Sequence, residues 1–251
     1  MRRIKITEEL EALMGAINSK LNLGLARFDH IDLALSSGQK ATDPKGNVLL
    51  DPEKEDDKRF VTLLRQAMHD EFDMYYKGAP CYSCAPNEIV TDGLGANVKN
   101  KDNFTLSCLF TNANVRQGGR FLELLKGRNV VTVMNWSSMS VQNQRFPVNV
   151  RYSFRSTGLP QNNLQLIDEI KSFIETNDLR NYIFLISAGQ LSNVLVHQLF
   201  RFNQNNTYLN IGEYFDPILT GKMTKPYHNP KDLSSHKVCV YDLVEDESEP
   251  I

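Results

Sequence analysis

Residues 164–211, LQLIDEIKSFIETNDLRNYIFLISAGQLSNVLVHQLFRFNQNNTYLNI, decide the fold class. Apolar residues recur at helical spacing over residues 164–175 and again over 191–202. Two short apolar runs, 181–186 (NYIFLI) and 207–211, read as buried strands. Strands separated by helices of about a dozen residues specify a parallel sheet, because each right-handed crossover needs a helix to bring the chain back.

The same alternation extends towards the N-terminus. Leu10, Leu13, Met14, Ile17 and Leu21 mark an amphipathic helix over residues 7–22, followed by a short strand at 25–28 and another helix. Residues 43–58 mix proline, glycine and charge and read as an exposed hairpin or loop. Phe60, Leu63, Leu64, Ala67, Met68 and Phe72 mark the next helix, which leaves His69, Asp70 and Glu71 at its far surface. Residues 104–110 and 129–134 read as buried strands joined by a helix carrying Phe121, Leu122, Leu124 and Leu125. The expectation is one α/β domain over residues 1–240. It is Rossmann-like, with a mostly parallel sheet, helices on both faces, and a loop or hairpin insertion near 40–58. An acidic tail, 241–251, is expected to be disordered.

Composition fits an ordinary globular chain of 251 residues, 41% hydrophobic and 23% charged. The first residues lack the apolar core of a signal peptide, and no apolar run reaches the roughly 18 residues of a membrane span, so a cytoplasmic protein is expected. Four cysteines, Cys81, Cys84, Cys108 and Cys239, are too few and too scattered for a disulfide scaffold. Cys81 and Cys84 form one C-x-x-C with no partner pair nearby, which reads as reduced, packed thiols rather than a zinc site. His197, on an apolar helix, reads as a hydrogen-bonded core histidine.

Net charge is −2, which argues against indiscriminate polyanion binding, yet residues 113–155 hold seven basic side chains and one acid. Such an island is either a solvated face balanced elsewhere or an anion subsite for a pyrophosphate or a nucleic-acid backbone. Trp136, Tyr152 and Phe154 lie within it and suit either base stacking or a core.

Chemistry-bearing residues gather behind three of the strands. Arg27, Asp29, His30 and Asp32 follow the first core strand, and the turn Ser187-Ala188-Gly189-Gln190 opens a helix as phosphate-binding turns do. Residues 208–228, YLNIGEYFDPILTGKMTKPYH, place Gly212, Glu213, Asp216, Lys222 and Lys225 behind the last. Ligand sites of open α/β sheets lie at such carboxyl ends. Asp216 precedes Pro217, which is expected to cap the strand end and aim the carboxylate into the cleft.

Taken in order, ARFDHID, LFTNANVRQGGRFLELLKGRNVVTVM, IFLISAGQLSNVLVHQLF and the 208–228 block resemble the landmarks of bacterial and phage glycosyltransferases of the GT-D fold. That family carries an R-F-G-D-G-E-like turn, an asparagine-rich segment before a strand, a strand-G-P-T-A-helix turn and a late D-x-G-x-x-x-D block. The resemblance covers most of residues 23–228. His30 stands at the motif's aspartate, Asp29 and Ile31 replace its glycines, the G-P-T-A proline is lost, Asn210 replaces the first acid of the last block, and lysines stand where arginine is expected.

The resemblance implies hexosyl or pentosyl transfer from a nucleotide sugar, a UDP-sugar, to an acceptor hydroxyl. Mg²⁺ or Mn²⁺ would be shared by Asp29 and Asp32. Arg27, Ser187, Ala188, Gly189, Gln190, Gly212, Lys222 and Lys225 would hold the donor, and Asp216, Glu213 or Asp29 would serve as base. Arg27 and Asp32 read equally as a structural ion pair. The acceptor is either a surface glycan or hydroxymethylated bases of phage duplex DNA. A catalytically inactive nucleotide-binding regulatory module is the alternative to an enzyme.

Overall fold

The computed structural model describes residues 2–43, 45–81, 101–135, 146, 148–223, 225–229, 231 and 238–243. Cys84, Trp136, Arg145 and residues 244–251 lie outside these. The strands are β1 (Arg2–Lys5), β2 (Gly24–Arg27), β3 (Ala41–Thr42), β4 (Val48–Leu50), β5 (Tyr75–Ala79), β6 (Phe104–Leu106), β7 (Asn129–Met134), β8 (Val150–Arg155), β9 (Tyr182–Ser187), β10 (Thr207–Asn210) and β11 (Val240–Leu243). The helices are α1 (Ile6–Asn18), α2 (His30–Ser36), α3 (Glu55–His69), α4 (Gly118–Leu125), α5 (Gln165–Thr176), α6 (Leu191–Phe202) and α7 (Asp216–Thr220).

Seven strands make one sheet in the order β6-β5-β2-β10-β9-β7-β8, and every neighbouring pair is parallel. A parallel sheet must be covered on both faces, and the period-2 alternation of its strands shows how. Phe184 and Ile186 of β9 join the apolar cluster built on α3, α5 and α6, whereas Ile183 and Leu185 join the one built on α1 and α4. Helix α6 is buried on all sides, with every residue from Leu191 to Phe200 out of solvent. That explains apolar residues on every side of it, with its polar residues Ser192, Asn193, His197 and Gln198 buried as well.

Chain order sets the site. From β2 the chain runs outward through β5 to β6, crosses to β7 and β8 at the other edge, and returns inward through β9 to β10. Strands β2 and β10 are therefore neighbours at the point where the strand order reverses, the place where open α/β sheets form ligand crevices beyond their carboxyl ends.

Several elements differ from the sequence reading. The strand expected over 104–110 stops at Leu106, and a 3-10 turn, Ser107–Phe110, follows. Strand β5, YYKGA, carries lysine and glycine and gives no strand signal, but a Cβ at Gly78 would lie 3.0 Å from the Ser107 backbone, so the tight β5–β6 approach requires glycine. The start of the expected tail is a strand: β11 pairs antiparallel with β1, matching Asp242 with Arg3. Within the 40–58 segment, β3 and β4 pair antiparallel.

His197 is fully buried, with Nε2 3.1 Å from Asp70 Oδ2 and Nδ1 3.1 Å from Gln198 Nε2. Burial lowers its pKa to about 4 despite the neighbouring Asp70 carboxylate. Because the folded value is depressed, the stability it confers is present above the ordinary histidine range and is lost as pH falls towards 4. His197→Gln is expected to show a smaller fall in melting temperature than the parent between pH 6.5 and 4.5. Parallel falls in thermal melts would remove His197 as the acid-sensitive group.

Candidate functional site

The ends of β2, β10 and α6 are tied together by one amide. Asn193, 1% exposed in the first turn of α6, accepts at Oδ1 from the Arg27 backbone N–H (2.7 Å) and from Asn210 Nδ2 (2.7 Å). Its Nδ2 donates to the Arg27 carbonyl (2.9 Å) and to Asp32 Oδ2 (2.9 Å). All four hydrogen-bonding positions of the side chain are thereby used. Asn210 in turn accepts at Oδ1 from the Gly212 N–H (3.1 Å), which fixes the turn after β10.

Arg27 is the cation of this crevice. Its Nε donates to the Ser107 carbonyl (2.5 Å) and Nη1 to the Asn210 carbonyl (3.3 Å), with the Phe110 ring 5.4 Å from the guanidinium carbon. It is not an ion-pair partner of Asp32 in these contacts. Burial lowers its pKa, opposed by Tyr227, Cys108, Asp29 and Glu213, and a guanidinium stays charged under such a shift. Gly212 has φ 53°, and a Cβ there would meet Arg27 Nη1 at 3.0 Å. The glycine is required twice, by backbone conformation and by the packed arginine.

Asp29 and Asp32 form a capping box on α2. Asp29 Oδ1 accepts from the N–H groups of Ile31 (2.8 Å) and Asp32 (3.1 Å), and Asp32 Oδ2 accepts from the Asp29 N–H (3.0 Å). Asp32 is 2% exposed, and its Oδ1 is buried without a hydrogen-bond partner. Burial, and then the Asp29 charge, raises its pKa well above the usual carboxylate range. This donor set does not fit a Mg²⁺ or Mn²⁺ shared by the two acids: one Asp32 oxygen is taken by two donors, the other is sealed from the solvent that a hydrated ion brings, and Asp29 Oδ1 is taken as well.

The remaining expected residues surround the crevice to differing degrees. Asp216 does not sit at the end of a strand. Strand β10 ends at Asn210, and Asp216-Pro217 open α7, where a proline lacks no needed donor. Glu213 pairs with Lys225 (3.3 Å), while Lys222 is exposed. The Tyr227 phenol lies within electrostatic reach of Arg27, Glu213 and Asp216, and burial, then Glu213, pushes its pKa up to about 12. His228, buried beside Asp216 and Glu213, has a lowered pKa, chiefly from burial. In the turn after β9 the Ala188 N–H is consumed by Ser192 Oγ (2.8 Å), so Gly189 and Gln190 are left as its phosphate-facing candidates.

Asn193, Tyr227 and His228 were not singled out in the sequence. Asn193 carried one usable signal, an amide in the first turn of a largely apolar helix. A cavity of about 160 Å³ lies elsewhere, between α1 and the sheet, lined by Leu13, Ala16, Leu23, Leu25, Tyr76 and Leu109 among others. Glu9 and Asp102 also line it, but no basic side chain does; the β2–β10 strand ends, which add Arg27, are the better candidate.

The architecture is shared with solved structures. The chain is similar to "the highly conserved domain of unknown function 1792", described as having a distinct glycosyltransferase fold, at TM-score 0.55 and 15% identity over 96% of this chain and 90% of that one. A selenomethionine-substituted structure of the same domain gives TM-score 0.57 at 16% identity over the same shares. A new glycosyltransferase with this domain from Streptococcus sanguinis gives 0.55 at 16% identity over 96% and 94%. No protein-family model and no curated protein matches the chain. The chain therefore has a glycosyltransferase-like α/β fold. Among the described residues, no helix is long and apolar enough to cross a membrane.

Asn193→Ala is expected to cost about 3 kcal/mol or more in denaturant unfolding, since it strands several buried polar groups at once. A loss below about 1 kcal/mol would show that the amide is dispensable. For Asp32 the folded pKa is raised, so its stability contribution is full at low pH and is lost as pH rises through the folded value. Asp32→Asn is expected to melt higher than the parent at pH 7.5 and no higher near pH 4. Abolished turnover in a stably folded Asp32→Asn would instead return Asp32 to the chemistry.

Proposed function

We propose that the chain is a glycosyltransferase that moves a hexosyl or pentosyl group from a UDP-sugar to a hydroxyl of a glycan acceptor. The observation that carries this reading is the joining of the β2 and β10 ends and the α6 tip at Asn193. This gathers a half-buried cation, a helix N-terminus and two carboxylates at one end of a glycosyltransferase-like fold.

In transfer, the acceptor oxygen bonds to the sugar's anomeric carbon as the bond to the diphosphate breaks, and the nucleoside diphosphate leaves with the electron pair. Arg27, braced by two carbonyls, and the N-terminus of α6 meet the negative charge that develops there. Asp216 takes the acceptor proton. The Glu213–Lys225 pair ties the loop after β10 to the segment carrying Tyr227 and His228, and Tyr227 stays a neutral phenol able to donate a hydrogen bond.

A glycan acceptor is favoured over modified duplex DNA because several cations of the basic island already have partners within the chain. Arg120 pairs with Glu11, Lys126 with Glu123 (2.6 Å), and Arg128 donates to the Ile17 carbonyl (3.1 Å). Tyr152 and Phe154 pack against Phe173 at 4.4 and 5.3 Å between ring centres.

Incubation with a panel of nucleotide sugars and acceptor glycans, with Mg²⁺ or Mn²⁺ present, is expected to release nucleoside diphosphate. Asp216→Asn should lower that release by about 100-fold or more without changing the thermal melt. Unimpaired release by a folded Asp216→Asn would remove it as the base. Nucleotide binding without release from any donor would favour a regulatory module.

A further inference from the structure

Three cysteines from remote parts of the chain meet inside the protein. Cys81 follows β5 behind Pro80, Cys108 sits in the 3-10 turn after β6, and Cys239 immediately precedes β11. Their sulfurs all lie within 4.8 Å of one another, and all three residues are buried. No disulfide joins them. The sequence offered Cys81 no neighbouring pair with which to complete a metal site; the fold brings up Cys108 and Cys239 as that pair.

The spacing suits a soft tetrahedral ion. Zinc–thiolate bonds of about 2.3 Å put sulfurs roughly 3.8 Å apart, so small side-chain rotations close the gap. Buried thiols can ionise together only beside a cation, because desolvation and mutual repulsion both oppose the thiolates.

A second observation points the same way. Asn112 Nδ2 lies 3.1 Å from Cys239 Sγ, a donor aimed at sulfur of the kind that supports metal-bound thiolates. Asn112 holds this position with φ 53°, in the left-handed region. The residue before it, Thr111, donates both its N–H and its hydroxyl to the Cys108 carbonyl (3.0 and 3.1 Å). One short segment therefore positions two of the three sulfurs.

We propose that Cys81, Cys108 and Cys239 bind a zinc ion that ties the β1–β11 pair to the segments following β5 and β6. Binding displaces the thiol protons and leaves the ion three thiolates, with a further donor completing its coordination. The role is structural. The Cys239 carbonyl accepts the Ile6 N–H (3.0 Å) at the start of α1, and Cys108 adjoins Ser107, whose carbonyl braces Arg27. Cys84, at C-x-x-C spacing from Cys81, lies outside the described residues, and the proposal rests on the three thiols alone.

The test uses the full chain, purified under reducing conditions, equilibrated with Zn²⁺ and desalted. Elemental analysis is expected to find near-stoichiometric zinc, and replacement by Co²⁺ should give an intense near-ultraviolet thiolate-to-cobalt band. Cys108→Ser with Cys239→Ser should lose both signals, and chelation of the parent should lower its melting temperature. Absence of retained zinc and of the cobalt band in the parent would overturn the proposal, whether or not the double variant folds. A disulfide formed among the three in protein that retained no zinc would overturn it by assigning the cluster to redox chemistry.

Discussion

The side-chain amide of Asn193 joins four groups from two remote parts of the chain: the Arg27 N–H and carbonyl at the end of β2, the nearby Asp32 carboxyl in α2, and the Asn210 amide at the end of β10. A buried amide is stable only when its donors and acceptors are all met, and here each meets a group that is itself buried or half-buried. The consequence is geometric. Neither strand end can shift without breaking a bond to α6, so both are fixed to the tip of that helix.

That rigidity is what an electrostatic site requires. Arg27 is held by the Ser107 and Asn210 carbonyls, with Gly212 leaving room for the guanidinium. A charge fixed before reaction costs no reorganisation when negative charge develops beside it. The same logic demotes Asp29 and Asp32. One oxygen of each is spent on the N-terminus of α2, and the raised pKa of Asp32 reflects a carboxyl kept from water rather than one prepared for an ion.

Much of the architecture was legible because each strand–helix unit is encoded locally. Helix α6 runs from Leu191 to Phe202, the limits its apolar run implies, and β7 likewise matches residues 129–134. Strand β5 was hidden because Lys77 and Gly78 answer to its neighbours, not to strand propensity. For the acids, a spacing of three suits both a chelate and a capping box, and only the backbone decides between them. Asn193 and the cysteine cluster were illegible for a further reason: their partners are brought up by topology, and no window of sequence contains both.

The most direct measurement is a crystal structure of the chain with a nucleoside diphosphate bound. The diphosphate is expected between the Arg27 guanidinium and the Gly189–Gln190 turn, with Asn193 unmoved beneath it. Nucleotide bound instead in the cavity between α1 and the sheet, with the crevice vacant, would contradict it.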